Sequence, residues 1–414
     1  MRLNLRYGEG YLPLENGTLS QMDRYEPRSV VGFQDISKSI FRAIESPVGC
    51  ASLSSLLSKC SSVCLVIEDI QNVLIQKVTR LLIRIINNMR TNLKKMSVLI
   101  SSTSSNLADI EASLDNPSEL GMNVEIHDYR KTKQLILAGS TPTHSTPLLL
   151  SKTFLSSDLR IGVGPISPDL FIGATGGRTA VVPGIAGEKT IRSNLKLQTT
   201  SPFSGYDSMS HASKDMLEAA NIAGLDFIVN IVEDFQGNLA SIAVGEPEDA
   251  WDIGAKACYN VAAITPKKRY DIAVVCGGGT PYDQTFFDSI SSLYNGYQFT
   301  RHNGVIVLVA ECQDGVGSDG FIKAITSTSS ETEVQLLAHN GFMSGMERAR
   351  VYHRIISQRN IIVCSRMSHA LVEEKLRADS VRDPQEGFEL ARQITGTKSD
   401  IAVLENSHWI IPRI

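Results

Sequence analysis

Short β-branched apolar runs alternate with helix-period stretches along most of the chain. CLVIEDI at 64–70 reads as a buried strand, and the residues after it put Leu74, Val78, Leu81, Leu82, Ile85 and Met89 on one helical stripe. MSVLISS (96–102) predicts a second strand, 106–114 a short helix, and NVEIHDY (123–129) a third strand. After a Ser/Thr/Pro loop at 140–147, the stretch 148–164 gives a helix and then a strand. A helix over 211–223, a strand pair at 225–232 and 239–245, and a helix over 247–262 complete this half. A second alternation starts with the strand YDIAVVC (270–276). It continues with a helix over 281–294, the strand GVIVLVA (304–310), helices near 344–357 and the strand NIIVCS (360–365). Two further helices and the strand DIAVLEN (400–406) end it. This order predicts an α/β fold of mostly parallel sheets flanked by helices, with ligands held beyond the carboxyl ends of the strands.

The 414 residues exceed what one ordinary core organises. The polar, proline-marked stretch AAITPKKRY (262–270) is the natural boundary, giving domains 1–265 and 266–414. A net charge of −4 excludes the concentrated basic surface that nucleic acid requires. The basic residues of 77–95 read as a solvated helix face. No apolar run approaches the roughly 20 residues that span a bilayer, and the N-terminal segment has no signal-type apolar core. Seven scattered cysteines form no CxxC pair, which points to a reducing, cytoplasmic setting.

Three glycine-rich turns follow predicted strands: GATGGRT (173–179), CGGGTP (276–281) and the DGVGSDG segment (314–320). The first lacks GK[ST] and GxGxxG, so it is neither a Walker loop nor a dinucleotide fingerprint. With Gly176, Gly177 and Arg178 it either cradles an anion or is only a tight turn. The eight histidines show no HxH or HExxH spacing, and no GxSxG elbow is present.

Taken in order, FIGATGGRTAVVPGIAGEKTI (171–191), GGGTPYDQTFF (277–287) and HNGVIVLVAECQDGVGSDGF (302–321) resemble the nickel-dependent lactate racemases and related hydroxyacid racemases and epimerases. The resemblance implies two α/β domains with a ligand cleft between them. It also implies a nickel pincer cofactor held by a lysine after Gly-Gly-Arg, a nickel-ligating histidine, two catalytic histidines and a carboxylate-gripping arginine. Here those positions are Thr179, Leu195, Asp169, a place near Ser105, and Gln71. Asp169 replaces an imidazole as a base only if its pKa is raised. The family pattern is kept at Gly176, Gly177, Arg178, Pro183-Gly184, Lys189-Thr190, Pro281, Asp283-Gln284 and Asp314-Gly315. Gly176, Gly177, Arg178, Thr179, Lys189, Asp283, Gln284 and Gln71 are the candidate ligand contacts, with Asp169 as the candidate catalytic group and no metal ligands.

The expected function is a diverged racemase-family protein that binds or isomerises a small anionic metabolite without the pincer. Two alternatives stand beside it. One is an active 2-hydroxyacid racemase or epimerase with replacement residues such as His211 or His302. The other is an inactive paralogue serving as a partner or sensor. A homo-oligomer is compatible with all three.

Overall fold

The computed structural model describes residues 2–15, 22–89, 93–101, 106–203 and 205–413. The Ser105 position lies outside them. The chain divides into two compact units. One holds 29–197 and 202–261, and the other 1–28, 198–201 and 262–414.

The first unit is built on a six-stranded sheet in the order Leu239–Gly245, Phe227–Glu233, Leu159–Pro165, Ser62–Ile67, Lys95–Ile100, Asn123–Ile126. Five strands run parallel, and only Leu239–Gly245 is antiparallel, paired to Phe227–Glu233. Residues 63–67 are all buried, as in a strand covered on both faces. The helix Val73–Met89 buries Ile75, Val78, Leu82, Ile85 and Ile86 against this sheet, with Leu74, Leu81 and Met89 partly buried at its margin. In chain order the strands grow outward from Ser62–Ile67 to one side, and then return as Leu159–Pro165 on the other. The direction of winding therefore reverses between Ser62–Ile67 and Leu159–Pro165. A crevice opens at the carboxyl ends of such a pair.

The second unit holds an all-parallel sheet in the order Asp379–Val381, Asn360–Cys364, Thr300–Val309, Tyr270–Cys276, Ile401–Leu404, Asp23–Tyr25. Its reversal lies between Tyr270–Cys276 and Ile401–Leu404. The predicted helix at 281–294 begins only at Ile290 and runs to Phe299. The preceding residues are a turn held by backbone bonds such as Tyr282 N–H to Gly279 O. One division between the units falls at 261/262, and the first 28 residues belong with the C-terminal half. Their hairpin, Arg2–Tyr7 with Gly10–Glu15, buries Leu3, Leu5 and Leu14 in that half's core. Among the described residues no helix is long and apolar enough to cross a membrane.

One buried histidine of this unit makes acid destabilising. His353 is 1% exposed, with Nε2 2.8 Å from the Thr328 hydroxyl. Burial, and then the Arg377 charge, push its pKa down to about 4. Between the ordinary imidazole value and that figure the unfolded chain binds a proton that the folded chain refuses. Stability is therefore kept above about pH 6.5 and lost as pH falls toward 4, by up to about 3 kcal/mol. Urea melts at pH 7 and pH 4.5 should show this loss, and His353→Gln should flatten it. Equal slopes for the two proteins would refute the assignment.

Candidate functional site

The winding reversal of the first unit places Glu68 at the carboxyl end of Ser62–Ile67 and Gly164 beside it on Leu159–Pro165. A Cβ at Gly164 would lie 2.9 Å from Glu68 Oε2, so glycine is what admits the carboxyl. Glu68 is part-exposed as a residue, but Oε2 is shielded from solvent and has no hydrogen-bond partner. Desolvation, opposed by a Thr179 hydroxyl bond and reinforced by the Asp69 charge, raises its pKa to about 8. Asp69 and Glu233 are raised as well, chiefly by burial. Asn72 links this edge together: its Oδ1 caps the helix Val73–Met89, accepting from Leu74 and Ile75 N–H, while its Nδ2 donates to Glu233 Oε2 at 2.5 Å. The result is a carboxyl that holds its proton near neutral pH, at the place where a parallel sheet receives ligands.

The glycine loop packs against the same sheet end. Thr175 ties down its start: the hydroxyl accepts from Ser167 N–H (2.9 Å) and donates to Pro165 O (3.1 Å). Its carbonyl accepts the indole N–H of Trp251 at 2.9 Å. Gly176 has φ +85°, and a Cβ there would strike Ile166 at 2.5 Å. Gly177 has φ +57° and lies against the Trp251 ring. The Gly177 N–H is taken by Asn230 Oδ1 at 3.1 Å, and Asn230 Nδ2 donates to Gly164 O at 2.7 Å. Both glycines are thus required by backbone shape and close packing, and these two amides are committed within the protein.

Within the first unit, the residues singled out from sequence turn to different neighbours. Thr179, 4% exposed, accepts Gly176 N–H at 2.8 Å, and its hydroxyl acts on the Glu68 carboxyl. Arg178, 7% exposed, turns instead to the ring of Trp251, with Cζ 3.9 Å from the ring centroid. Burial lowers its pKa to about 10, leaving it charged at neutral pH. Asp169 closes a local turn: its Oδ1 accepts Phe171 N–H (2.8 Å) and Ile172 N–H (3.0 Å), a tie an imidazole at that place would not make. Lys189 is exposed on the helix Glu188–Thr200, and Leu195 lies half-buried on that helix with no donor atom. Gln71 is exposed in the turn before Val73–Met89. His211 is exposed, its ring 5.1 Å from that of His144, and His302 is exposed on Thr300–Val309.

Asp283 and Gln284 belong to the second unit. Asp283 is wholly buried, and its Oδ2 accepts Gly8 N–H at 2.9 Å and Glu311 N–H at 3.1 Å. It joins the N-terminal hairpin to a strand end, which is an architectural task. Gln284 is half-buried, and its backbone carbonyl accepts Asp314 N–H at 3.0 Å. Near that unit's own winding reversal, His408 stacks on Tyr282 with ring centroids 4.0 Å apart. Both of its ring nitrogens are shielded without a partner, and burial pushes its pKa down to about 3.

A pincer cofactor needs a covalent anchor and a metal ligand. Thr179 has no amine and its hydroxyl is engaged on both sides, and Leu195 has nothing to coordinate with. Among the described residues no three His, Cys, Asp or Glu side chains gather as a metal ion would need. At these two positions the side chains offer neither the anchor nor the ligand. Sequence reasoning passed over Glu68, although its place at the end of an apolar strand run was visible; its loss of solvent is a tertiary effect.

Residues 7–206 match the model of the lactate racemase N-terminal domain, and 265–411 that of the lactate racemase C-terminal domain. The chain is 24% identical over 390 residues to a lactate racemase of Thermoanaerobacterium thermosaccharolyticum, covering 92% of this chain and 90% of the relative. It is 26% identical over 303 residues to one from Lactiplantibacillus plantarum, covering 72% and 70%. The lactate racemase apoprotein of T. thermosaccharolyticum superposes with a TM-score of 0.89 at 21% identity, each chain fully covered. A Thermotoga maritima protein gives 0.68 at 13%, covering 93% of this chain and all of its own. With both of its halves matched in order, and the same fold throughout, this chain belongs to the lactate racemase family.

Proposed function

We propose that this family member binds a small anionic metabolite of the 2-hydroxy-acid kind at the Glu68 crevice and works without the nickel pincer. The observation that carries the reading is Thr179: the anchoring position is filled by a buried side chain whose hydroxyl accepts Gly176 N–H and acts on the Glu68 carboxyl. The chemistry left at the crevice is that of one desolvated carboxyl. While protonated, Glu68 donates from its carboxyl to an oxygen of the anion, and it is the residue that holds a proton beside the ligand. Ionisation would set two negative charges against each other, so affinity falls as pH rises through about 8. The seven free cysteines, six of them buried, support a reducing compartment.

Intact mass and nickel content of protein produced with the pincer supplied test the cofactor part. The expected result is the bare polypeptide mass without stoichiometric nickel, and a covalent adduct or bound nickel refutes the reading. Thr179→Lys should not restore attachment. A buried ammonium beside a desolvated carboxyl, with the Gly176 cap lost, should cost about 2–4 kcal/mol in chemical denaturation.

A further inference from the structure

Two histidines of the first unit, used neither at the crevice nor in the glycine loop, stand side by side. The His144 and His211 rings have centroids 5.1 Å apart and planes 46° apart. His144 is half-buried and His211 exposed, and among the described residues no hydrogen bond or ion pair engages either ring. They come from different elements: His144 from the loop 141–146, His211 from the first turn of the helix His211–Ala223. Backbone and side-chain ties hold that loop on that helix. The Thr141 hydroxyl donates to Asp215 at 2.6 Å, and Thr143 gives Glu218 its backbone N–H at 3.1 Å and its hydroxyl as well. Around His144 the loop closes on itself, Thr141 N–H to Thr146 O at 3.0 Å and Thr146 N–H to Thr141 Oγ1 at 2.9 Å. The two rings are therefore brought together by the fold, and little ordering is left for a ligand to impose.

Two imidazoles bound to one tetrahedral ion through nitrogens at about 2.0–2.1 Å have ring centroids about 5 Å apart. The observed separation has that value. From this geometry we infer that His144 and His211 form a binding site for a divalent first-row transition ion, with Zn²⁺ the best suited because it favours imidazole and tetrahedral geometry. No third His, Cys, Asp or Glu joins them among the described residues, so water completes the coordination and the affinity is modest. Glu218 adds a negative charge beside the loop, against the exposed Lys214 on the next turn of the helix. Mg²⁺ and Ca²⁺, which take oxygen ligands, are not held. The bound ion clasps the loop 141–146 to the helix.

Full-length protein stripped with EDTA and exchanged into metal-free buffer should bind one equivalent of Zn²⁺ in a competition titration with a chromophoric chelator, and MgCl₂ or CaCl₂ should not displace it. His144→Gln and His211→Gln should each weaken that binding at least about tenfold, while melting as the parent does without metal. His369→Gln is the control, because His369 stands 4.0 Å from Glu373 and offers Zn²⁺ a competing place. Zn²⁺ should also slow hydrogen exchange at 141–146 in the parent and in neither variant. The inference is overturned if Zn²⁺ does not bind saturably, if either variant binds as the parent does, or if His369→Gln is the change that abolishes binding. Nickel held here would be stripped by EDTA and lost in His211→Gln. Nickel that survives both belongs to the question of the pincer, so the two tests fail separately.

Discussion

Glu68→Gln should be more stable than the parent at pH 8.5 and no more stable at pH 4.5. In the folded chain the Glu68 carboxyl keeps its proton up to about pH 8, while in the unfolded chain it ionises near 4.5. Between those values the folded state binds a proton that the unfolded state does not, so stability falls as pH rises through the window. The ceiling is about 5 kcal/mol, and about 2 kcal/mol is expected once the residue's part exposure is discounted. Glutamine is a permanent donor of similar shape, so the variant loses the alkaline decline. It should also keep binding 2-hydroxy acids above pH 8, where the parent's affinity drops. Denaturant melts and calorimetric titrations across pH 5–9 read both effects. A variant with the parent's pH slope would remove Glu68 from the argument, and one that is stable but never binds would remove the crevice. A protein that keeps a destabilising carboxyl at a winding reversal behaves as functional sites do, where stability is given up for chemistry.

Asp283→Ala should have the largest structural effect of any change at the kept family positions. The wholly buried carboxylate accepts from Gly8 and Glu311, and alanine leaves both amides without an acceptor in an interior closed to water. Two lost charge-assisted bonds and the stranded donors amount to about 3–5 kcal/mol. The loss should be local at first: hydrogen exchange at 2–15 should quicken well below the global unfolding transition. Unchanged exchange there, with weakened ligand binding instead, would return Asp283 to the role its kept position suggests.

The parallel strands were legible because each is covered on two faces and so reads as an unbroken apolar run: 63–67, 272–276 and 305–309 are buried throughout. The hairpin at 2–15 has the right alternation too, with Leu3 and Leu5 in and Arg2 and Asn4 out. Its partner core, however, lies some hundreds of residues onward, and nothing local names it. The site was legible as a loop but not as chemistry. Gly176, Gly177, Arg178 and Thr179 adjoin one another, yet Thr179 turns to Glu68 and Arg178 to Trp251. Adjacent side chains on a tight turn diverge, and spacing alone does not tell which way each will go. Asp169 illustrates the same gap: its carboxylate serves two amides two and three residues ahead, a local use that competes with any role as a base.

The pairing of Asp23–Tyr25 with Ile401–Leu404 sets an order on synthesis. A chain made from its N-terminus has residues 29–261 available, with every strand of their sheet, long before residue 401 exists. The edge strand at 23–25 meets its neighbour only once residues 401–404 have emerged. Leu3, Leu5 and Leu14 have no core to enter until the strands from residue 272 onward have been made. The hairpin and the strand at 23–25 are therefore secured long after they are made, and the interval belongs to whatever shields an exposed apolar hairpin in the cell.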